Sequence, residues 1–193
     1  MQNNKNILLA GALLLIGCNN VIGAAEGQDS KNNLSKHLLK AVTWGQANMV
    51  KGFIDASVND ASVNLECANE LGETPLMCAV WHEHGDVIRE LLTAKANIDA
   101  ADKLGQTALF RATWKEHVDN IRTLVAANAN LLARNNAGQT SLDIAKAKKH
   151  AGIVGLLREA QETRLKSAVE YIVNGPLPLK PLCGIFKDYL LEK

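Results

Sequence analysis

What the chain has little of narrows the possibilities before any motif is considered. Aromatic residues make up 4% of its 193 positions, so a core has to be built from Leu, Ala, Val and Ile, the palette of closely packed helices. Charge of one sign is not in excess: Lys plus Arg number 21 against 20 for Asp plus Glu. With no long like-charge run, there is no electrostatic reason to expect nucleic acid as a partner. No apolar run approaches the ~20 residues that cross a bilayer. There is no Gly-x-Ser-x-Gly elbow, no Gly-rich phosphate loop and no carboxylate pair beside a base. The expectation is therefore no enzyme, no catalytic residue and no cofactor. Four cysteines are present, none at a spacing such as Cys-x-x-Cys, and no metal site is expected. What is there in quantity is hydrophobic residue, 47% of the chain, enough for the core of one globular unit.

The first 25 residues read as an export signal. Lys5 is the only charge before an apolar run from Ile7 to Gly17, about half the length of a membrane span. Leu15-Ile16-Gly17-Cys18 resembles the lipobox of bacterial lipoproteins, in which the Cys is lipidated and becomes the new N-terminus. Gly23-Ala24-Ala25 offers a competing site of ordinary signal cleavage. The lipoprotein is preferred, because Cys18 closes the apolar run in a cysteine-poor chain. Either way the mature protein is expected outside the cytoplasm, anchored to a membrane by lipid (periplasm or cell surface) rather than freely secreted. Residues 19–33 are small and polar and read as a flexible tether. Of the remaining Cys67, Cys78 and Cys183, an odd number, two could form one disulfide in an oxidising compartment.

Internal periodicity is the strongest signal. Segments beginning at Leu71, Leu104 and Ala137 share Gly72, Gly105 and Gly138; Thr74, Thr107 and Thr140; Leu76, Leu109 and Leu142; and Ala79, Ala112 and Ala145, at steps of 33 residues. His84, His117 and His150 keep that step, as do Leu91, Leu124 and Leu157. The Gly permits positive φ in a tight turn, the Thr caps a first helix, and Pro75 falls where a missing N–H costs nothing. Leu76 and Ala79 face inward, and Val87, Ile88, Leu91 and Leu92 form the stripe of a second helix. A degenerate copy from Leu34 aligns Leu38, Ala41, Val50 and Phe53 with Leu76, Ala79, Ile88 and Leu91. Its register is 38 residues, so about five extra residues are expected in a loop near Ser57 to Ser62. A terminal repeat departs from pattern because one of its faces meets water.

These residues resemble the ankyrin repeat, with its Gly-x-Thr-Pro-Leu-His-x-Ala opening and apolar second helix. The resemblance implies an all-α solenoid of about four helix-turn-helix repeats with β-hairpin loops. The repeats are placed at 34–66, 67–99, 100–132 and 133–160, after a signal at 1–18 and the tether at 19–33. Residues 161–193 should form a helical cap or tail, with Leu165, Ala168, Val169 and Ile172 covering the end of the last repeat. In the family the imidazole after the first helix hydrogen-bonds backbone, which makes "WHEHGD" structural and not a metal cluster. Glu83 and Glu116 stand where the family has Gly, which puts the tightness of that turn in question.

The resemblance also implies a function: ankyrin stacks bind proteins, through their hairpin tips and the start of the inner groove. The tips carry Glu70, Leu71 and Glu73, then Lys103, Leu104 and Gln106, then Asn136, Ala137 and Gln139. The groove positions are Thr43 and Trp44, Trp81 and His82, Trp114 and Lys115, and Ala147 and Lys148. All three tryptophans fall in that set. Rigid aromatics bury much surface at low entropic cost, so a protein partner is expected on Trp44, Leu71, Trp81, His82, Lys103, Leu104, Trp114 and Lys115. The plainer alternative is that each Trp fills the gap between adjacent repeats. The stack is expected to act as a monomer that touches a membrane only through Cys18. A second reading rests on "LPLKPLCGIFKDYL", which resembles the start of F-box-like tails that recruit a host adaptor. A hydrolase with an unrecognised site is the remote third.

Overall fold

The computed structural model describes residues 28–60 and 64–174. Cys18, Cys183, the lipobox and the F-box-like segment therefore lie outside the described residues. Within them are eight helices: α1 Gln28–Thr43, α2 Ala47–Asp60, α3 Pro75–Trp81, α4 Gly85–Thr93, α5 Ala108–Lys115, α6 Val118–Ala126, α7 Ser141–Ala147 and α8 Ala151–Asn174. Each odd helix packs on the even one that follows it. The odd helices also pack on one another in chain order, as do the even ones. The result is two rows of helices, an inner row (α1, α3, α5, α7) and an outer row (α2, α4, α6, α8).

The recurring residues build this one turn at a time. Thr74, Thr107 and Thr140 cap the inner helices, each hydroxyl accepting from the backbone N–H three residues on. At Thr140 the cap is reciprocal, because Asp143 Oδ2 accepts from the Thr140 backbone N–H at 3.0 Å and from its hydroxyl at 2.8 Å. Those bonds hold the Asp143 carboxyl below its ordinary pKa. Ala41, Ala79, Ala112 and Ala145 lie in the core with almost no exposed surface. Each of their carbonyls accepts the N–H of the residue that opens the next helix: Gln46, His84, His117 and His150. Leu38, Val50, Leu76, Ile88, Leu91, Leu109, Ile121, Leu124 and Leu157 fill the space between the rows. Removing one such buried Leu side chain costs about 2–5 kcal/mol.

The turn in question stays tight. Glu83, Glu116 and Lys149 take left-handed backbone, φ 63°, 66° and 60°, matching Gly45 at 68° in the first repeat. The backbone bond across the turn is 3.0–3.1 Å in all three, so the closed turn imposes the conformation on a residue that resists it. Lys95 and Asn128 are left-handed in the same way after the outer helices. The loops between repeats carry hairpin bonds (Asn69 N–H to Glu73 O, Asp102 N–H to Gln106 O, Asn135 N–H to Gln139 O) without forming a strand among the described residues.

Three sequence expectations need correction, and the continuity of the last helix, which the sequence left open, is decided. Helix α1 begins at Gln28, six residues inside the expected tether. The extra residues after the first repeat lengthen α2 to 14 residues, against nine in α4 and α6, instead of forming a loop up to Asp60. Helix α8 crosses position 160 without a break and runs to Asn174. Its end cover is also different, since Leu165 and Ala168 are exposed. Arg164 does that work, donating to the carbonyls of Ala129 at 2.7 Å and Val125 at 2.9 Å where α6 ends.

The left-handed turns give a direct test. A side chain in this region costs roughly 1 kcal/mol that glycine avoids. Lys95 is exposed, so Lys95→Gly should raise stability by up to about that amount in urea unfolding. Lys95→Ala, which keeps its Cβ, should not.

Candidate partner-binding face

The inner helices end in step, so the residues that follow Ala41, Ala79, Ala112 and Ala145 emerge in register on one face. The structure brings Trp44, Trp81 and Trp114 onto that face, 68%, 37% and 48% exposed. His82 and Lys115 are exposed beside them. Leu71 and Leu104 stand exposed at the hairpin tips with Lys103. All eight positions expected from sequence are therefore accessible, and none of the tryptophans is a core residue.

The gap-filling alternative survives in part, in a form the sequence did not show. Lys115 Nζ lies 3.9 Å from the Trp81 ring centroid, and Lys148 Nζ lies 4.8 Å from that of Trp114. Each indole thus carries a cation from the next repeat and stays partly exposed, an arrangement in which the ring quadrupole attracts the charge. Trp44 bears no such cation among the described residues. Neighbouring repeats are tied further by carboxylates. Glu116 binds Lys148 at 3.1 Å and His150 at 2.8 Å. The Lys148 hydrogen bond, helped by His150, holds the Glu116 carboxyl below its ordinary range.

The histidines of "WHEHGD" close the repeats. His84 Nε2 is 3.0 Å from the Thr43 carbonyl and His117 Nδ1 is 3.2 Å from that of Val80. A carbonyl only accepts, so these are the protonated nitrogens. Gly45 makes room: a Cβ there would meet the His84 ring at 2.6 Å. Asn120 donates to the same Val80 carbonyl. Among the described residues no three His, Cys, Asp or Glu side chains are placed to share a metal ion. Cys67 and Cys78 are buried and free. Burial, reinforced by Glu73, pushes the Cys78 thiol up to about 11, and burial raises Cys67 as well.

One residue beneath this face was missed. Arg111 occupies the position held by Cys78 in the preceding repeat and Ile144 in the next, and it is buried. Its guanidinium binds Glu73 and Asp102, each at 2.6 Å, and stands 5.5 Å from the Trp81 ring. Asp102 in turn orders its own hairpin, Oδ1 accepting from the Leu104 and Gln106 N–H groups at 2.8 Å. Arg111 therefore joins the second tip, the third tip and the floor under Trp81. The signal was available as a charge in an otherwise apolar column, with acids at two tips.

The register of helices, caps and cross-repeat bonds agrees with a family-level match. Residues 3–102, just over half of the chain, match the model for ankyrin repeats in three copies. The chain belongs to the ankyrin repeat family. The ankyrin register runs on beyond the matched residues through α5 to α8, which repeat the same caps and turns. Comparison with curated proteins gave no match. Ankyrin repeats are, in general, protein–protein interaction modules without catalytic activity.

Truncating Arg111 should be costly, since Asp102 would stay buried and unpaired. Arg111→Ala is expected to lose about 3–5 kcal/mol in denaturant unfolding. Arg111→Leu combined with Asp102→Asn and Glu73→Gln should recover much of it, whereas a merely volumetric role for Arg111 would make the acid replacements irrelevant.

Proposed function

We infer that this protein is an exported scaffold that captures a protein partner on its inner-helix face, held to a membrane through a lipidated Cys18. The observation that carries the binding part is that all three tryptophans are exposed, two or three residues after a core Ala, in a fold whose family binds proteins. Leu71 and Leu104 extend that apolar surface to the tips. Interfaces concentrate their energy in such aromatic anchors. The export part is supported by the Lys5 start, the short apolar run and the cysteine that closes it. No helix among the described residues is long and apolar enough to cross a membrane.

Two experiments test the two parts separately. Trp81→Ala with Trp114→Ala should weaken capture of the native partner at least ~100-fold, since each hot-spot aromatic contributes about 2 kcal/mol or more. Each exposed cation–π contact contributes only about 0.5–1 kcal/mol to folding, so stability should fall little. A partner retained equally by the double variant overturns the face as binding site. Intact-mass analysis of the mature protein should show a diacylated N-terminus at Cys18, absent from Cys18→Ser. A product beginning near Glu26 in both removes the anchor.

A further inference from the structure

The inner-helix face is not uniform along the stack. The position after each tryptophan column runs Trp44, His82, Lys115, Lys148 from first repeat to fourth, so positive charge accumulates toward one end. Exposed Lys149 adds to that end, fixed in a left-handed turn beside Lys148. Glu116, beside this face, is already engaged within the stack, binding Lys148 and His150. Some of the cations are not. Lys115 rests over Trp81 and pairs with no carboxylate among the described residues, and Lys149 likewise.

At the opposite end an indole takes the place of the lysine in this column. Trp44 is the most exposed of the tryptophans and carries no cation among the described residues. A partner matched to this face needs apolar side chains at the first repeats and carboxylates at the last two. Phosphate chains fit poorly, because they offer nothing to the Trp44 end and the chain as a whole carries a net charge of only +1.

We propose that the face binds a short acidic segment of a partner protein, its apolar residues on Trp44 and Trp81 and its carboxylates on Lys115, Lys148 and Lys149. This inference rests on the inner-helix face being the binding face and adds the chemistry of what it binds.

The test is selection of random 12-residue peptides by the full chain at 50 mM salt, followed by fluorescence anisotropy on synthetic copies of the enriched sequences. The expected result is peptides that combine apolar residues with two or more Asp or Glu. Changing those to Asn or Gln should weaken binding at least ~10-fold. Lys115→Glu with Lys149→Glu, both exposed, should do the same with only a small loss of thermal stability from the Lys115–Trp81 contact. Raising salt to 300 mM should weaken binding several-fold, because exposed ion pairs are screened. Enriched peptides that lack acids yet depend on Trp81 and Trp114 overturn the acidic partner and leave the face standing. Peptides indifferent to both tryptophans, or no enrichment at all, overturn the face and the proposal together. Self-association abolished by the tryptophan variants overturns the proposal in favour of a second copy.

Discussion

Two short helices joined by a tight turn have apolar residues on more than one side, and folding the pair together covers only part of them. In this chain the remainder is buried by the next pair, and the whole structure depends on that shared burial. Leu76 and Leu109 are almost completely buried because inner helices stand on both sides of α3 and α5. Close approach is possible because Ala41, Ala79, Ala112 and Ala145 present almost no side chain where the helices meet. Their carbonyls lie at the turns and accept the bonds that start the outer helices. A single small residue thus sets both the spacing of the row and the closure of each turn.

Polar groups then specify the register that apolar burial leaves loose. The Asn97 and Asn130 N–H groups, 33 residues apart, donate to Glu66 and Asp99 one repeat earlier, both at 2.7 Å. The Lys103 and Asn136 N–H groups donate to the Leu71 and Leu104 carbonyls. At the next step the acid is replaced by Leu132, exposed, and Arg164 of α8 binds the carbonyls at the end of α6 instead. The repeat ends where its hydrogen-bond partner ends.

The same construction leaves an exposed face along the inner helices at little cost in stability. Because inner helices terminate in register, the positions two and three after the core Ala form columns at the surface. Trp81 and Trp114 occupy one column and the lysines of the following repeat lie against them. Arg111 underneath links two tips to the Trp81 floor through buried ion pairs. Buried ion pairs contribute little net stability compared with an apolar residue of similar size, so their value here lies in fixing the position of the tips relative to the groove.

The sequence by itself determined the fold and the 33-residue step of the three regular copies. It could do so because those features follow from local rules repeated at a fixed step: a capping Thr, a glycine turn, an inward Leu and Ala. Tertiary structure decided what depends on a neighbour. Helix α1 begins earlier and α2 and α8 run longer than the repeat predicts. Glu83 and Glu116 hold a glycine conformation because the closed turn around them leaves no other. The Lys–Trp stacking and the Arg111 bridge join residues 9 to 38 positions apart, and only the stacking of one repeat on the next brings those charges together.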